Sequence, residues 1–251
     1  MTYFLQFVKA DFTKIKRKPL LIMHTLIPLL GVIIFLAYFS YTHWKPTSKV
    51  FVFLQMTAFV LPTLIALVCS MVVEQEALAG NFQQMLTSNI KLMPFLSKLI
   101  VILLFGLISM VALVCGFGAG FSYILNESPF GFKYYIYAVS ILFSGNIFLY
   151  VFHIIISMKF GNTLSIGIGI AESLLSAIFA TDLGLGKWEF VPCTWAMRLM
   201  MYFHKFMLKD QSFFQEVSEL HLGILLCILG TIIITIFACL WFFRWEGRKS
   251  E

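Results

Sequence analysis

Six apolar runs, each close to the length a helix needs to cross a bilayer, dominate this 251-residue sequence. The first, Leu20 to Ser40, would measure about 31 Å as a helix, against a hydrocarbon core of roughly 30 Å. Only 12% of residues are charged, where a soluble domain carries about 25%. The expected fold class is therefore an all-α integral membrane protein, a single transmembrane domain over 1–251. Its spans are placed at about 20–41, 51–73, 95–125, 133–157, 162–181 and 221–243. Cations precede the first run as they would in a signal peptide. No A-x-A-like site follows it, only "FSYTHW", so it reads as a retained first span.

Six spans put both termini on one side, and the basic residues suggest which. One side holds Lys9, Lys14, Lys16, Arg17, Lys18, Lys91, Lys98, Lys159, Arg244, Arg248 and Lys249. The other holds Lys45, Lys49, Lys133, Lys187, Arg198, Lys205 and Lys209. Setting aside the long loop 182–220, a poor topology reporter, leaves 11 against 3. The positive-inside rule then places both termini in the cytoplasm. The net charge of +6 reflects cationic ends near anionic headgroups rather than nucleic-acid binding. Cys69, Cys115, Cys193, Cys227 and Cys239 include no CxxC pair, and four of them lie in apolar runs as small core residues.

In residues 1–18, Phe4, Val8, Phe12 and Ile15 share one helical face, while Lys9, Thr13 and Lys16 lie on another. This pattern predicts an interfacial helix that turns into the first span at Pro19. In span five, Gly161, Ser165, Gly169, Ser173 and Ala177 recur every fourth residue, which gives a smooth stripe for close helix approach. "GFGAG" at Gly116 to Gly120 is a similar packing patch.

There is no G-x-x-x-x-G-K-[ST], no HExxH and no GxSxG. No residue is assigned to catalysis, to a metal or to a cofactor held by this chain. Two ionisable residues lie within spans. Glu172 in "GIGIAESLLSAI" falls one turn beyond Gly169 and should face the bundle, because an acid exposed to lipid is costly. It belongs either to a substrate path or gate, or to packing as a protonated or paired group. His153 in "LYVFHIIIS" reads as an interhelical hydrogen-bonding residue.

Two polar stretches interrupt the apolar pattern. "VEQEALAGNFQQMLTS", residues 73–88, lies between spans two and three. Its spacing predicts a short cytoplasmic helix over 74–88, with Glu74 and Glu76 in a first turn where the helix dipole favours acids. Leu78, Phe82 and Leu86 would form an apolar stripe, with Gln75, Gln83 and Gln84 beside it. In a chain without a nucleotide site, such a helix suggests docking to another subunit through Glu74, Glu76, Gly80, Phe82, Gln83 and Leu86. The second stretch is the outer loop 182–220. Within it, Trp188, Pro192, Trp195 and Arg198 belong to a segment too apolar to be left in water. Short helices over 188–209, folded on the outer mouth, are expected, with Pro192 opening the helix that follows. The tryptophans and Lys187, Arg198, Lys205 and Lys209 are expected at the headgroup level.

Five stretches in order carry a family resemblance: "HTLIPLLG" at His24, "EQEALAGNFQQML" at Glu74, "LYVFH" at Leu149, "SIGIGIAESLLSA" at Ser165 and "WEFVPCTWAMRL" at Trp188. Across the whole chain it resembles permease subunits of lantibiotic immunity ABC transporters, the MutG-type family of the ABC-2 class. The resemblance implies two different permeases served by two copies of a P-loop ATPase that holds ATP and Mg. It implies export of a cationic lanthionine peptide from the plasma membrane of a Gram-positive bacterium, with the loop between spans two and three coupled to the ATPase. The competing classes are an intramembrane enzyme, opposed by the missing motifs, and a stand-alone channel or secondary transporter. The latter would more naturally show repeated halves or interrupted helices, and no convincing repeat is present.

Overall fold

A computed structural model describes residues 2–16, 19–211, 213 and 217–248. The described residues form helices and short 3-10 turns, with no strand. The order is α1 (Thr2–Lys16), α2 (Pro19–Tyr41), α3 (Pro46–Leu78), α4 (Gln83–Leu86), α5 (Leu92–Tyr123), α6 (Phe132–Ser144), α7 (Ile147–Phe160) and α8 (Asn162–Phe179). Three 3-10 turns at 182–184, 188–190 and 192–194 lead to α9 (Trp195–Met207), and α10 (Val217–Arg244) follows. Six helical stretches are long and apolar enough to span a membrane: α2, α3, α5, α6 with α7, α8 and α10.

The spans lie where hydropathy put them, with two differences. Span two does not stop at residue 73; its helix continues through the polar turn to Leu78. Span four, expected as one helix over 133–157, breaks between α6 and α7 at Gly145 and Asn146. Gly145 lies against the backbone of Ala196 at the start of α9, where a Cβ would collide with the Ala196 nitrogen and Cα. The buried Asn146 meets part of the polar demand of the break by donating from Nδ2 to the Leu142 carbonyl, 2.7 Å. An interrupted helix is therefore present after all, with the start of α9 packed against the break.

α3 is the central post, with α8 and α7 on one side and α2 and α5 nearby. The small-residue stripe makes the α3–α8 contact. Gly169 faces Ala66 and the Pro62 carbonyl, and Thr63 Oγ1 donates to the Gly169 carbonyl at 3.1 Å. The "GFGAG" patch works the same way in α5: Gly118 lies under the Tyr135 ring and Gly120 under Leu36. α1 docks on α5. Val8 packs against the core and the Phe12 ring meets Phe105 at 5.2 Å. The side chains of Ile15 and Lys16, and all of Arg17, Lys18 and Lys249, lie outside the described residues.

The outer loop folds as short helices on the bundle end opposite the termini, and its tryptophans turn into the protein. Trp188 and Trp195 are buried, their rings set against Gly223 and Gly230 of α10, two turns apart. Arg198 is buried too: Nε and Nη2 donate to the Phe179 and Thr181 carbonyls at the end of α8. A helix end leaves carbonyls without partners, and a guanidinium answers two of them at once. Pro192 opens the 3-10 turn that runs into α9, and Phe190 is exposed. Burial pushes His204 down to about 4, so a neutral ring bonds the Tyr134 hydroxyl at 2.7 Å.

Candidate functional site

The segment 74–88 is not one helix. Gly80, Asn81 and Phe82 all have positive φ, at 130°, 47° and 66°. Three such residues in a row end α3 and turn the chain into the single helical turn of α4. Glu74 and Glu76 accordingly occupy the last turns of span two, not a first turn, so side-chain partners rather than a helix dipole must accommodate their charge. Glu74 Oε2 accepts from Asn162 Nδ2 at 2.8 Å and fastens the start of α8.

Glu76 is the centre of a buried charge cluster. Its Oε1 lies 2.9 Å from both Lys14 Nζ and Lys98 Nζ. Lys98 also pairs with Asp11 Oδ1 at 3.3 Å, and Ser97 Oγ donates to Asp11 Oδ2 at 2.6 Å. Lys14 reaches on to Gln84 Oε1 at 3.3 Å. Two acids and two lysines thus neutralise one another while joining α1, α3, α4 and α5. A small cavity of about 200 Å³ lies beside them, lined in part by Gln6, Phe7 and Met85. Asp11 and Lys98 were not singled out from the sequence. Their signal was weak: one acid in a basic leader and one lysine just inside an apolar run.

The other flank of the loop is tied to the chain's far end. The buried Phe82 ring meets Trp245 at 5.0 Å and lies 5.6 Å from the Arg248 guanidinium. Arg248 also donates to the Ser157 and Met158 carbonyls of α7. Lys91 Nζ donates to the Phe243 and Trp245 carbonyls, and Leu86 packs near Gly247. The expected apolar stripe is therefore split, since Phe82 is covered while Leu78 is 80% exposed. The outward surface includes Leu78, Ala79, Gly80, Asn81, Gln83, Gln84, Thr87, Asn89 and Ile90 and carries no charged residue.

The two intramembrane groups are brought together. His153 Nε2 and Glu172 Oε2 share a hydrogen bond of 2.8 Å, and His153 Nδ1 meets Ser165 Oγ at 3.0 Å. His153 is wholly buried and the Glu172 side chain is 16% exposed. Glu172 thus stands beside the small-residue stripe as a paired group. In detergent, Glu172→Gln should retain stability to within about 1 kcal/mol, whereas Glu172→Leu should lose about 2 kcal/mol, because it strands the buried imidazole. Equal unfolding temperatures for the two variants would refute the pairing.

The described residues thus form a bundle of six candidate spans whose loop on the termini side is bonded to both ends of the chain. The chain matches the ABC-2 family transporter protein family over residues 7–176, about two thirds of its length, and belongs to that family. It is a multi-pass membrane subunit of an ABC transporter, a class in which a partner ATPase hydrolyses ATP. No curated protein and no solved structure matches the chain.

Proposed function

We infer that the chain is the permease of an ABC exporter that expels a lantibiotic from the membrane of a Gram-positive bacterium and so gives immunity or resistance. Two copies of a P-loop ATPase work from the termini side, which the distribution of basic residues assigns to the cytoplasm. A second, similar permease completes the path. The observation that carries the coupling is the outward surface around Leu78, Gln83 and Ile90, whose underside is bonded to α1 and α5 and, through Lys91 and Phe82, to the end of α10 and the tail after it. A push on that surface is met by buried ion pairs and an edge-to-face ring contact rather than by a yielding loop. The lanthionine-peptide substrate rests on the five ordered motifs, including the "PCTW" stretch that opens α9.

The test is the double substitution Leu78→Asp with Gln83→Lys, both on the outward surface. In the chain co-expressed with its ATPase and partner permease, peptide-stimulated ATP hydrolysis and resistance should fall by at least about tenfold. The unfolding temperature of the purified chain should stay the same, because neither side chain has a buried partner to lose. Undiminished hydrolysis would remove the docking role from this loop.

A further inference from the structure

An apolar groove of about 590 Å³ runs between span four, α9 and span six, within the roughly 300–1,000 Å³ range of ligand sites. Its walls include Ile141 and Ile147 at the break in span four, Leu199 and Phe206 of α9, and Ile224 and Ile228 of α10. Between Leu220 and Ile232 the α10 wall rises about 18 Å, close to one leaflet of a roughly 30 Å core. The groove therefore reaches from the end opposite the termini to mid-membrane. Its hydroxyls are already satisfied, since Ser144 Oγ donates to the Ile141 carbonyl and Thr231 Oγ1 to the Cys227 carbonyl. The walls ask for an apolar occupant.

Its outer end asks for something else. Tyr202 lines the groove, and its hydroxyl donates to Glu219 Oε2 at 3.3 Å. Trp188 Nε1 donates to the same oxygen at 3.4 Å. Both donors are neutral, and none of the ion pairs among the described residues involves Glu219. The nearby cation, Lys205, lies 5.9 Å over the Tyr202 ring. A carboxylate without a cation, at the end of an apolar groove, complements a positive group tethered to an apolar body.

We propose that this groove receives the apolar side of a cationic amphipathic peptide lodged in the leaflet opposite the termini, with Glu219 meeting one of its cations. The inference deepens the export reading above and rests on it. An anionic phospholipid fits the walls equally well, but its headgroup would be repelled by Glu219; a zwitterionic lipid also carries a cation, and competition with phosphatidylcholine separates it from the peptide.

The full chain in phosphatidylcholine vesicles is photolabelled with a diazirine-bearing Leu/Lys amphipathic peptide, and the adducts are mapped by mass spectrometry. Adducts should concentrate on Phe206, Ile224 and Ile228, and Ile228→Trp, which fills the groove, should abolish them. Glu219→Gln should raise the half-saturating peptide concentration about fivefold and leave an acetyl-lysine analogue of the peptide unaffected. Should Ile228→Trp fail to fold, the wild-type map and Glu219→Gln decide the matter. Adducts spread evenly over the lipid faces of α2 and α8 would overturn the proposal. So would a diazirine phosphatidylcholine that labels the groove and is not displaced by the peptide. In cells, undiminished resistance with the groove filled defeats this inference but leaves export standing. Labelling of the groove in a complex that exports no lanthionine peptide defeats the export reading instead.

Discussion

Glu76→Lys is expected to yield no folded chain, and Glu76→Gln to lose about 3–5 kcal/mol, the range measured when one partner of a buried ion pair is removed. The carboxylate is 3% exposed and is shared by Lys14 and Lys98 at 2.9 Å each. A lysine there would put three ammonium groups against Asp11 alone. Retention volume and thermal unfolding in detergent measure the effect. The outcome separates two roles that the sequence blurs: a docking residue changes ATP hydrolysis in a well-folded protein, whereas a keystone loses the protein itself. Normal folding of Glu76→Lys with loss of hydrolysis alone would return Glu76 to the docking surface.

Gly169→Leu is the second large effect. Even a Cβ at this position would overlap Ala66 Cβ and touch the Pro62 carbonyl. A leucine must therefore drive α8 off α3. The separation breaks the bonds of Thr63 to the Gly169 carbonyl and to Ser173 Oγ, 3.1 and 2.7 Å. Overpacking costs about 1–3 kcal/mol and each interhelical bond roughly 0.6 kcal/mol, so about 2–4 kcal/mol should be lost. Gly167, two residues earlier, has nothing within 4 Å of its Cβ position. Gly167→Leu in the isolated chain should therefore change stability by less than about 0.5 kcal/mol. Equal losses at the two positions would show that the stripe does not face α3.

The spans were legible because lipid imposes a length and a polarity that single residues report directly. The stripe of span five was legible for the same reason, since fourfold spacing of small residues has one geometric use. The end of span two was not. Glu74 and Glu76 stop an apolar count, yet the helix continues because lysines from α1 and α5 arrive to neutralise Glu76 and the Asn162 amide of α8 meets Glu74. Asp11 and Lys98 are 87 positions apart, and nothing local to either announces the other. Trp188 and Trp195 fit an interfacial pattern equally well, and only the glycines of α10, more than thirty residues downstream, show that they turn inward. Gly145 and Asn146 did carry a local signal for the break in span four, a glycine-amide pair in an apolar run. The hydropathy of the flanking residues outweighed it.

The notches at Gly223 and Gly230 also limit how α10 can move. Two indole rings seated seven residues apart act as a detent. A one-residue slide or a part-turn of the helix would bring a neighbouring side chain under each ring and push both out together. Tilting about the rings needs no such expulsion. At its other end the same helix is held by Lys91 and by Phe82 through Trp245. Span six is thus a lever with a fixed pivot at one surface of the bilayer and its handle at the other, and any stroke it makes is a swing rather than a twist.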